Sequence, residues 1–414
     1  MEAFKHSWLR DCKKAYCAPR VRACDAQRTP LYACASRREL GALATVFSQS
    51  LKLAAFTIGL TVCCDIRAES VLSEIRLPRG FRITVYTDQT PGARSLALGD
   101  DGTVYVGSMD EGKVYAVRDQ DRNGKADQVQ VLATNLNMPN GVAVVDGDLY
   151  VAEVSRILKF KDIGRQVSTS PKPEIIFDRY PDDVHHGWKY LRVGPDGKLY
   201  VPVGAPCNVC LPKKEIYATL TRLDKDGSNF EIYARGIRNT VGFDWHPETK
   251  ELWLTENGRD WMGDDMPPDE LNHAPKPGLH FGFPHCHGKD IADPSFGKGK
   301  ACAEFEPPAW TFPAHVAALG MRFYTGKQFP AEYQGQLFVA QHGSWNRSTP
   351  DGYRVVMVEF QGGKPINEKI FAEGWLRPNG KVLGRPVDIL QMPDGALVIS
   401  DDKAGALYRI VYQP

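Results

Sequence analysis

Asp182–Gly204 reads DDVHHGWKYLRVGPDGKLYVPVG. Its second half is a strand–turn–strand unit: Pro195-Asp196-Gly197 makes the turn, and Leu199, Tyr200, Val201 and Val203 supply a β-rich run after it. Similar units stand at Leu96–Ser108, Gly141–Glu153, Phe243–Glu256, Phe323–Ala340 and Ile389–Asp401. Each is a short strand, a polar turn with Asp, Gly or Pro, and a second β-rich strand. One such hairpin cannot bury both faces, so neighbours must stack to build a core. Six units at spacings of a few tens of residues predict an all-β chain folded as a six-bladed β-propeller. An open sandwich is the alternative. Ser73–Asp88 (SEIRLPRGFRITVYTD) predicts a strand added to the last blade, closing the ring. Trp261–Ala318, rich in Pro, Gly and His, reads as an inserted loop region.

Residues 1–68 are different in kind. They hold eleven Lys/Arg against five Asp/Glu, and six of the ten cysteines. Within them Leu51–Cys64 (LKLAAFTIGLTVCC) is an apolar run of secretory h-region length, too short for a span of roughly 20 residues. This predicts an N-terminal extension with a signal peptide over 1–68, cleavage near Ala68, and a propeller domain over 69–414. The mature chain would be periplasmic or secreted, with no stable membrane span. A lipid anchor at Cys63 fits less well, because Val62 is bulky for the residue before such a cysteine; an uncleaved anchor is a third option. Without 1–68, basic residues fall from 51 to 40 and acidic ones from 50 to 45. No basic face remains, so nucleic acid is not an expected partner. The four cysteines left are even in number, as expected of an exported chain, and predict the pairs Cys207–Cys210 and Cys286–Cys302. Four-thiolate zinc is a poorer match to one CxxC and two isolated cysteines.

Several stretches carry chemistry. Asp119, Asp121, Asn123 and Asp127 have the D-x-D-x-N-G spacing of a calcium loop. The closing Glu is missing, since Gln130 stands there, so the reading is a structural calcium loop or a polar turn, and neither is catalytic. His185 and His186 suit a general base, histidine being the side chain that titrates nearest neutrality; a structural loop histidine is the plainer reading. Arg238-Asn239 follows, then the oxygen-rich run Thr255–Asp260 with Asp264, Asp265 and PPDELN (Pro267–Asn272), suited to calcium or to a solvated acidic loop. Leu279–Gly288 (LHFGFPHCHG) offers rings for a pocket wall or for loop packing. AQHGSWNRS (Ala340–Ser348) and GRPVD (Gly384–Asp388) place Arg347 and Arg385 beside blade edges. Arg238, Arg347 and Arg385 together predict three guanidiniums converging on one polycarboxylate.

HHGWKYLRVGPDGKLYV, ARGIRN, TENGRD…DELN…GLHFGFP and GRPVDILQMPDG, in that order from about Val71 to the C-terminus, resemble the soluble quinoprotein sugar dehydrogenases, most closely the sorbosone dehydrogenase branch. The resemblance implies a six-bladed propeller that binds pyrroloquinoline quinone (PQQ) and calcium over its central channel. It implies His186, rather than His185, as the catalytic base. Arg238 and Asn239 would contact the quinone carbonyl and carboxylate region. The backbone carbonyls of Gly258 and Arg259 would hold calcium, where glucose-active relatives have Pro at Arg259. Arg385 matches one of two carboxylate-binding arginines; the second falls at Val387. The family's fifth-blade lysine has no clear match, and Arg347 or His342 stands in its place. The implied activity is oxidation of a sugar or sugar aldehyde, with electrons passed to an external acceptor, a cytochrome or a quinone. A calcium-dependent lactonase and a non-catalytic glycan- or protein-binding propeller are the competing readings, since propellers host many functions.

Overall fold

The computed structural model describes residues 68–169 and 171–414; the signal-peptide reading of Leu51–Cys64 lies outside them. Six four-stranded antiparallel sheets form the blades, and consecutive strands pair within each. Blade 1 spans residues 93–133, blade 2 141–177, blade 3 192–235, blade 4 243–314 and blade 5 318–373. Blade 6 takes three strands from residues 386–412 and its fourth, Phe81–Thr87, from the beginning of the domain. That strand pairs antiparallel with Ala406–Tyr412, from Phe81 opposite Tyr412 to Thr87 opposite Leu407. The closure expected from Ser73–Asp88 is therefore present.

The repeated sequence units are the first two strands of each blade. The second strand is buried along nearly its whole length in every blade, as in Leu199–Val203 and Leu397–Asp401. It lies within its sheet while that sheet is covered by a neighbouring blade on each face, so both of its faces need apolar side chains. The fourth strand faces water and reads as a mixture; Gln128–Ala133 is mostly exposed or half-buried. The first strands contact one another around the axis. Buried carboxylates stitch them together. Asp388 of blade 6 accepts the Leu96 N–H of blade 1 at 2.9 Å, and Asp244 of blade 4 accepts the Phe323 N–H of blade 5 at 2.9 Å. Backbones approach closely at these joints: a Cβ on Gly320 would lie 2.2 Å from Asp388 Oδ1.

The reading of Trp261–Ala318 as loop is corrected. It contains the third and fourth strands of blade 4, Pro268–Ala274 and Trp310–Ala314, and a small hairpin, Cys286–His287 with Ile291–Ala292. The third strand carries no aliphatic alternation because Asp269, Glu270 and Asn272 are among the side chains it buries. Cys207–Cys210 and Cys286–Cys302 are both disulfide-bonded, as expected.

Closure rests on an aromatic cluster. The Phe81 ring meets Phe329, Tyr333, Phe371 and Tyr412 edge-on, with centroids 4.7–5.0 Å apart. Phe81→Ala is expected to cost about 3–5 kcal/mol, read as a lower denaturant midpoint. Ile366→Ala, on the exposed outer strand of the same neighbourhood, should stay within about 0.5 kcal/mol of wild type.

Candidate active site

In an antiparallel blade, alternate connections leave from opposite ends. Connections from second to third strands, and from each blade to the next, therefore share one face of the ring. His186, Arg238, Gly258, His342 and Arg385 all lie on such connections. The Asp119–Asp127 loop joins the third and fourth strands of blade 1, which places it at the opposite end. There the carboxylate oxygens of Asp119, Asp121 and Asp127 lie within 4.8 Å of one another. That loop is apart from the other residues singled out in the sequence.

His186 sits in a left-handed turn (φ 51°) and is buried. Its Nδ1 lies 2.9 Å from the Ala205 carbonyl. A carbonyl only accepts, so Nδ1 carries the hydrogen and Nε2 keeps its lone pair. Nε2 has no partner among the described residues. Burial, then the Arg238 guanidinium and His185, hold the His186 pKa well below 6.5. A Cβ on Gly204 would lie 2.4 Å from the His186 Cβ, so only glycine fits beneath it. The His185 ring packs beside it with centroids 4.1 Å apart. Lys189 braces the turn from below: its Nζ donates to the Gly187 carbonyl. Complete burial brings the Lys189 pKa down to about 7.

Arg238 is buried and heavily committed. Nε donates to the Asn208 carbonyl (2.8 Å), Nη1 to the Asn257 carbonyl (3.0 Å), and Nη2 to Asn208 Oδ1 (3.0 Å) and Asp260 Oδ2 (3.2 Å). With most of its N–H groups taken, it has no free fork to give to the polycarboxylate on which it was expected to converge; it offers a fixed positive field. The loop it grips, Asn257–Asp260, is hydrogen-bonded almost throughout. The N–H groups of Asn257, Gly258 and Asp260 go to the Asn239 carbonyl, Asp269 Oδ1 and Asn208 Oδ1. The Asn257 and Asp260 carbonyls are also used. The Gly258 and Arg259 carbonyls accept no hydrogen bond among the described residues. Two adjacent carbonyl oxygens without a protein donor fit a hard cation such as calcium. Arg259 itself would repel that cation, but its Nη1 is paired with buried Asp293 Oδ2 at 2.6 Å, and His287 Nε2 meets the same oxygen at 3.0 Å. Behind the loop, burial pushes Asp269 up to about 6 and Glu270 up to about 7.

Across the axis, Arg385 donates through Nε and Nη2 to the His342 and Gly343 carbonyls, at 3.1 and 2.7 Å. His342 Nε2 meets both oxygens of Asp402 at 2.9–3.0 Å. Burial, then Arg385, bring the His342 pKa down to about 4, so at neutral pH it is an uncharged donor to Asp402. Asp402 also accepts Arg94 Nη1 at 2.9 Å, and Arg94 Nε reaches Asn140 Oδ1 at 2.9 Å. Arg94 Nη2 has no partner among the described residues. Arg94 is the buried cation that the sequence reading missed; a lone arginine ahead of an apolar strand carries no motif. Val387, where a second carboxylate-binding arginine was expected, instead joins Val241, Leu319, Ala317 and Trp188 in an apolar patch at the axis. Trp188 Nε1, Thr240 Oγ1 and His185 Nε2 are buried nearby without partners. An apolar patch, buried polar atoms without partners among the described residues and the cations Arg94 and Arg385 are the donor set that a planar polycarboxylate such as PQQ calls for.

Arg347 does not join that pair. Its guanidinium is taken up by the Asp264 carbonyl, the Ala314 carbonyl at 3.3 Å and Asp265 at 3.3 Å. The expected convergence of three arginines is thus replaced by Arg385 with Arg94, with Arg238 fixed to one side.

The family model described as TrAA12-like matches residues 75–412. An uncharacterized protein of Borreliella burgdorferi is 33% identical over 371 residues, 86% of this chain and 96% of its own length. The pyrroloquinoline quinone-dependent pyranose dehydrogenase of Coprinopsis cinerea is 44% identical over 406 residues, 81% of this chain and 54% of its own. The chain thus spans about half the length of that relative. Among solved structures, the calcium structure of the Trichoderma reesei carbohydrate-active enzyme of family AA12 superposes with a TM-score of 0.71 at 19% identity, covering 82% of this chain and 97% of its own. A match running through all six blades and both faces of the site leaves one conclusion: the chain belongs to the TrAA12-like family.

Proposed function

We propose that the chain is an exported PQQ- and calcium-dependent dehydrogenase that oxidises a sugar or sugar aldehyde and passes the electrons to an external acceptor. The observation that carries this reading is the pairing of a base with a cation loop. His186 has a fixed tautomer and, among the described residues, a free Nε2, and in the loop held by Arg238 the Gly258 and Arg259 carbonyls accept no hydrogen bond from those residues. The PQQ dependence of the Coprinopsis relative supports the cofactor, and the calcium structure from Trichoderma supports the metal. Two disulfides support export, because such bonds persist in oxidising compartments.

PQQ, when bound, supplies the two-electron acceptor chemistry. The protein's part is positioning, proton transfer and charge. Arg94 and Arg385 would hold the carboxylates, and the patch around Trp188 and Val387 would carry the ring face. Gly258 and Arg259 would hold calcium. His186 Nε2 takes the proton of the substrate hydroxyl, and the Nδ1–H bond to Ala205 keeps that nitrogen aimed while the ring becomes positive. Arg238 stabilises negative charge that develops beside it.

His186→Ala should retain PQQ, measured by its absorbance, while turnover falls ~10²–10⁴-fold; full turnover with PQQ bound would remove the assignment. The depressed His186 pKa means the base stays unprotonated at pH 6.5. The acid limb of kcat/KM should therefore lie well below pH 6.5, and Arg238→Gln, which removes a cation that depresses this pKa, should move it upward. Calcium gives a third check. Asp293→Asn strips Arg259 of its counter-charge and should weaken calcium binding to the PQQ-free protein about tenfold, roughly 1.4 kcal/mol by calorimetry. Arg259→Gln in the same background should restore it, whereas a merely structural role for Asp293 predicts no recovery.

A further inference from the structure

Two tryptophans stand in water on the face that carries His186. Trp261 is 68% exposed and Trp345 59% exposed. They come from different blades, each from the connection after a second strand, and meet edge to face with centroids 5.4 Å apart at 82°. Trp261 lies just past the cation loop, next to Asp260, which is bonded to Arg238. Trp345 lies three residues beyond His342.

Holding this pair in place is unfavourable, and the fold holds it nonetheless. Trp261 has φ 72°, a left-handed conformation that is strained for a bulky residue. The tip that carries it is fastened at several points. His315 Nε2 donates to the Gly263 carbonyl at 2.9 Å, and the Ser348 N–H donates to Asp264 Oδ1 at 3.1 Å. Arg347 grips the Asp264 carbonyl and the Ala314 carbonyl. Arg347 and Ser348 belong to the loop of Trp345, so the same contacts that pin one tryptophan tie it to the other. The exposed carboxylate of Asp265, on the loop of Trp261, pairs with Arg347 at 3.3 Å.

We propose that Trp261 and Trp345 form a stacking subsite for a saccharide ring beyond the one that reacts, so that the substrates are oligosaccharides or glycosides as well as free sugars. The proposal rests on the sugar-dehydrogenase reading above. An indole face is complementary to the C–H face of a pyranose, and Asp265 offers acceptors to the hydroxyls at its rim. The size of the patch decides against a macromolecule. Two indoles bury about 500 Å² at most, whereas a stable protein interface needs roughly 1,000 Å² or more.

The test begins with the PQQ-free protein in calcium. Tryptophan fluorescence is followed as cellotriose, maltotriose or glucose is added. A trisaccharide should bind wild type, and Trp261→Ala and Trp345→Ala should each weaken that binding about tenfold. In the loaded enzyme the same variants should raise KM for the trisaccharide about tenfold while kcat, and KM for the monosaccharide, stay within about twofold. Absence of trisaccharide binding to wild type, or variants with wild-type KM for both trisaccharides, overturns the subsite. Variants that slow only the reduction of a haem-protein acceptor would assign the pair to acceptor docking and likewise overturn it. Trisaccharide binding lost in the variants, in a chain that takes up no PQQ, would support the subsite and defeat the dehydrogenase reading alone.

Discussion

A ring of sheets needs its first and last elements joined. Here that join is the pairing of Phe81–Thr87 with Ala406–Tyr412, capped by the ring of Phe81 among four other aromatics. Everything at the axis depends on it. The first strands can press on one another only while the circle is shut, and the carboxylates of Asp388 and Asp244 can reach backbone N–H groups in the next blade only at that separation. Residues some three hundred positions apart, such as Arg94 and Asp402, then meet at 2.9 Å.

The site built on that axis is an arrangement of charges taken out of water. Burying an arginine costs free energy unless its donors are met. Arg238 meets the requirement with carbonyls, an amide and a carboxylate, and Arg94 with Asn140 and Asp402. Arg259 meets it with Asp293. What is left unmatched at the site, among the described residues, is informative: the lone pair of His186, two loop carbonyls, part of the Arg94 fork, and the polar atoms of His185, Trp188 and Thr240. Those are the groups available to a ligand.

The sequence showed the blades well because the second strands are buried on both faces and therefore read as dense β-rich runs after a marked turn. The closing strand is an outer one of mixed burial, and it showed instead through the β-branched and aromatic run FRITVYT. The third strand of blade 4 was lost because PDELNHA buries carboxylates and an amide where aliphatics are normal. Of the site, the histidine pair stood out through its position ahead of a strong unit. Arg94 did not, since nothing in PGARSLALG separates a buried cation from a surface one. Arg347 was misplaced because a loop-to-loop clamp involves contacts between positions more than eighty residues apart, which spacing cannot reveal. The tryptophan pair was hidden likewise; each ring alone reads as ordinary packing.

The Cys207–Cys210 bond closes a very short loop, and short loops restrict an unfolded chain little. Its value is local. Between the two sulfurs sits Asn208, which binds Arg238 through both its carbonyl and its side chain and binds both backbone groups of Asp260. One residue thus holds both the Arg238 guanidinium and the far end of the Asn257–Asp260 loop. Loss of this disulfide alone would leave the propeller and its melting behaviour nearly intact while Asn208, and with it Arg238 and the Asn257–Asp260 loop, lost alignment. A correctly folded ring and a correctly set loop cluster at its face are therefore separable, and the Cys207–Cys210 bond is what joins them.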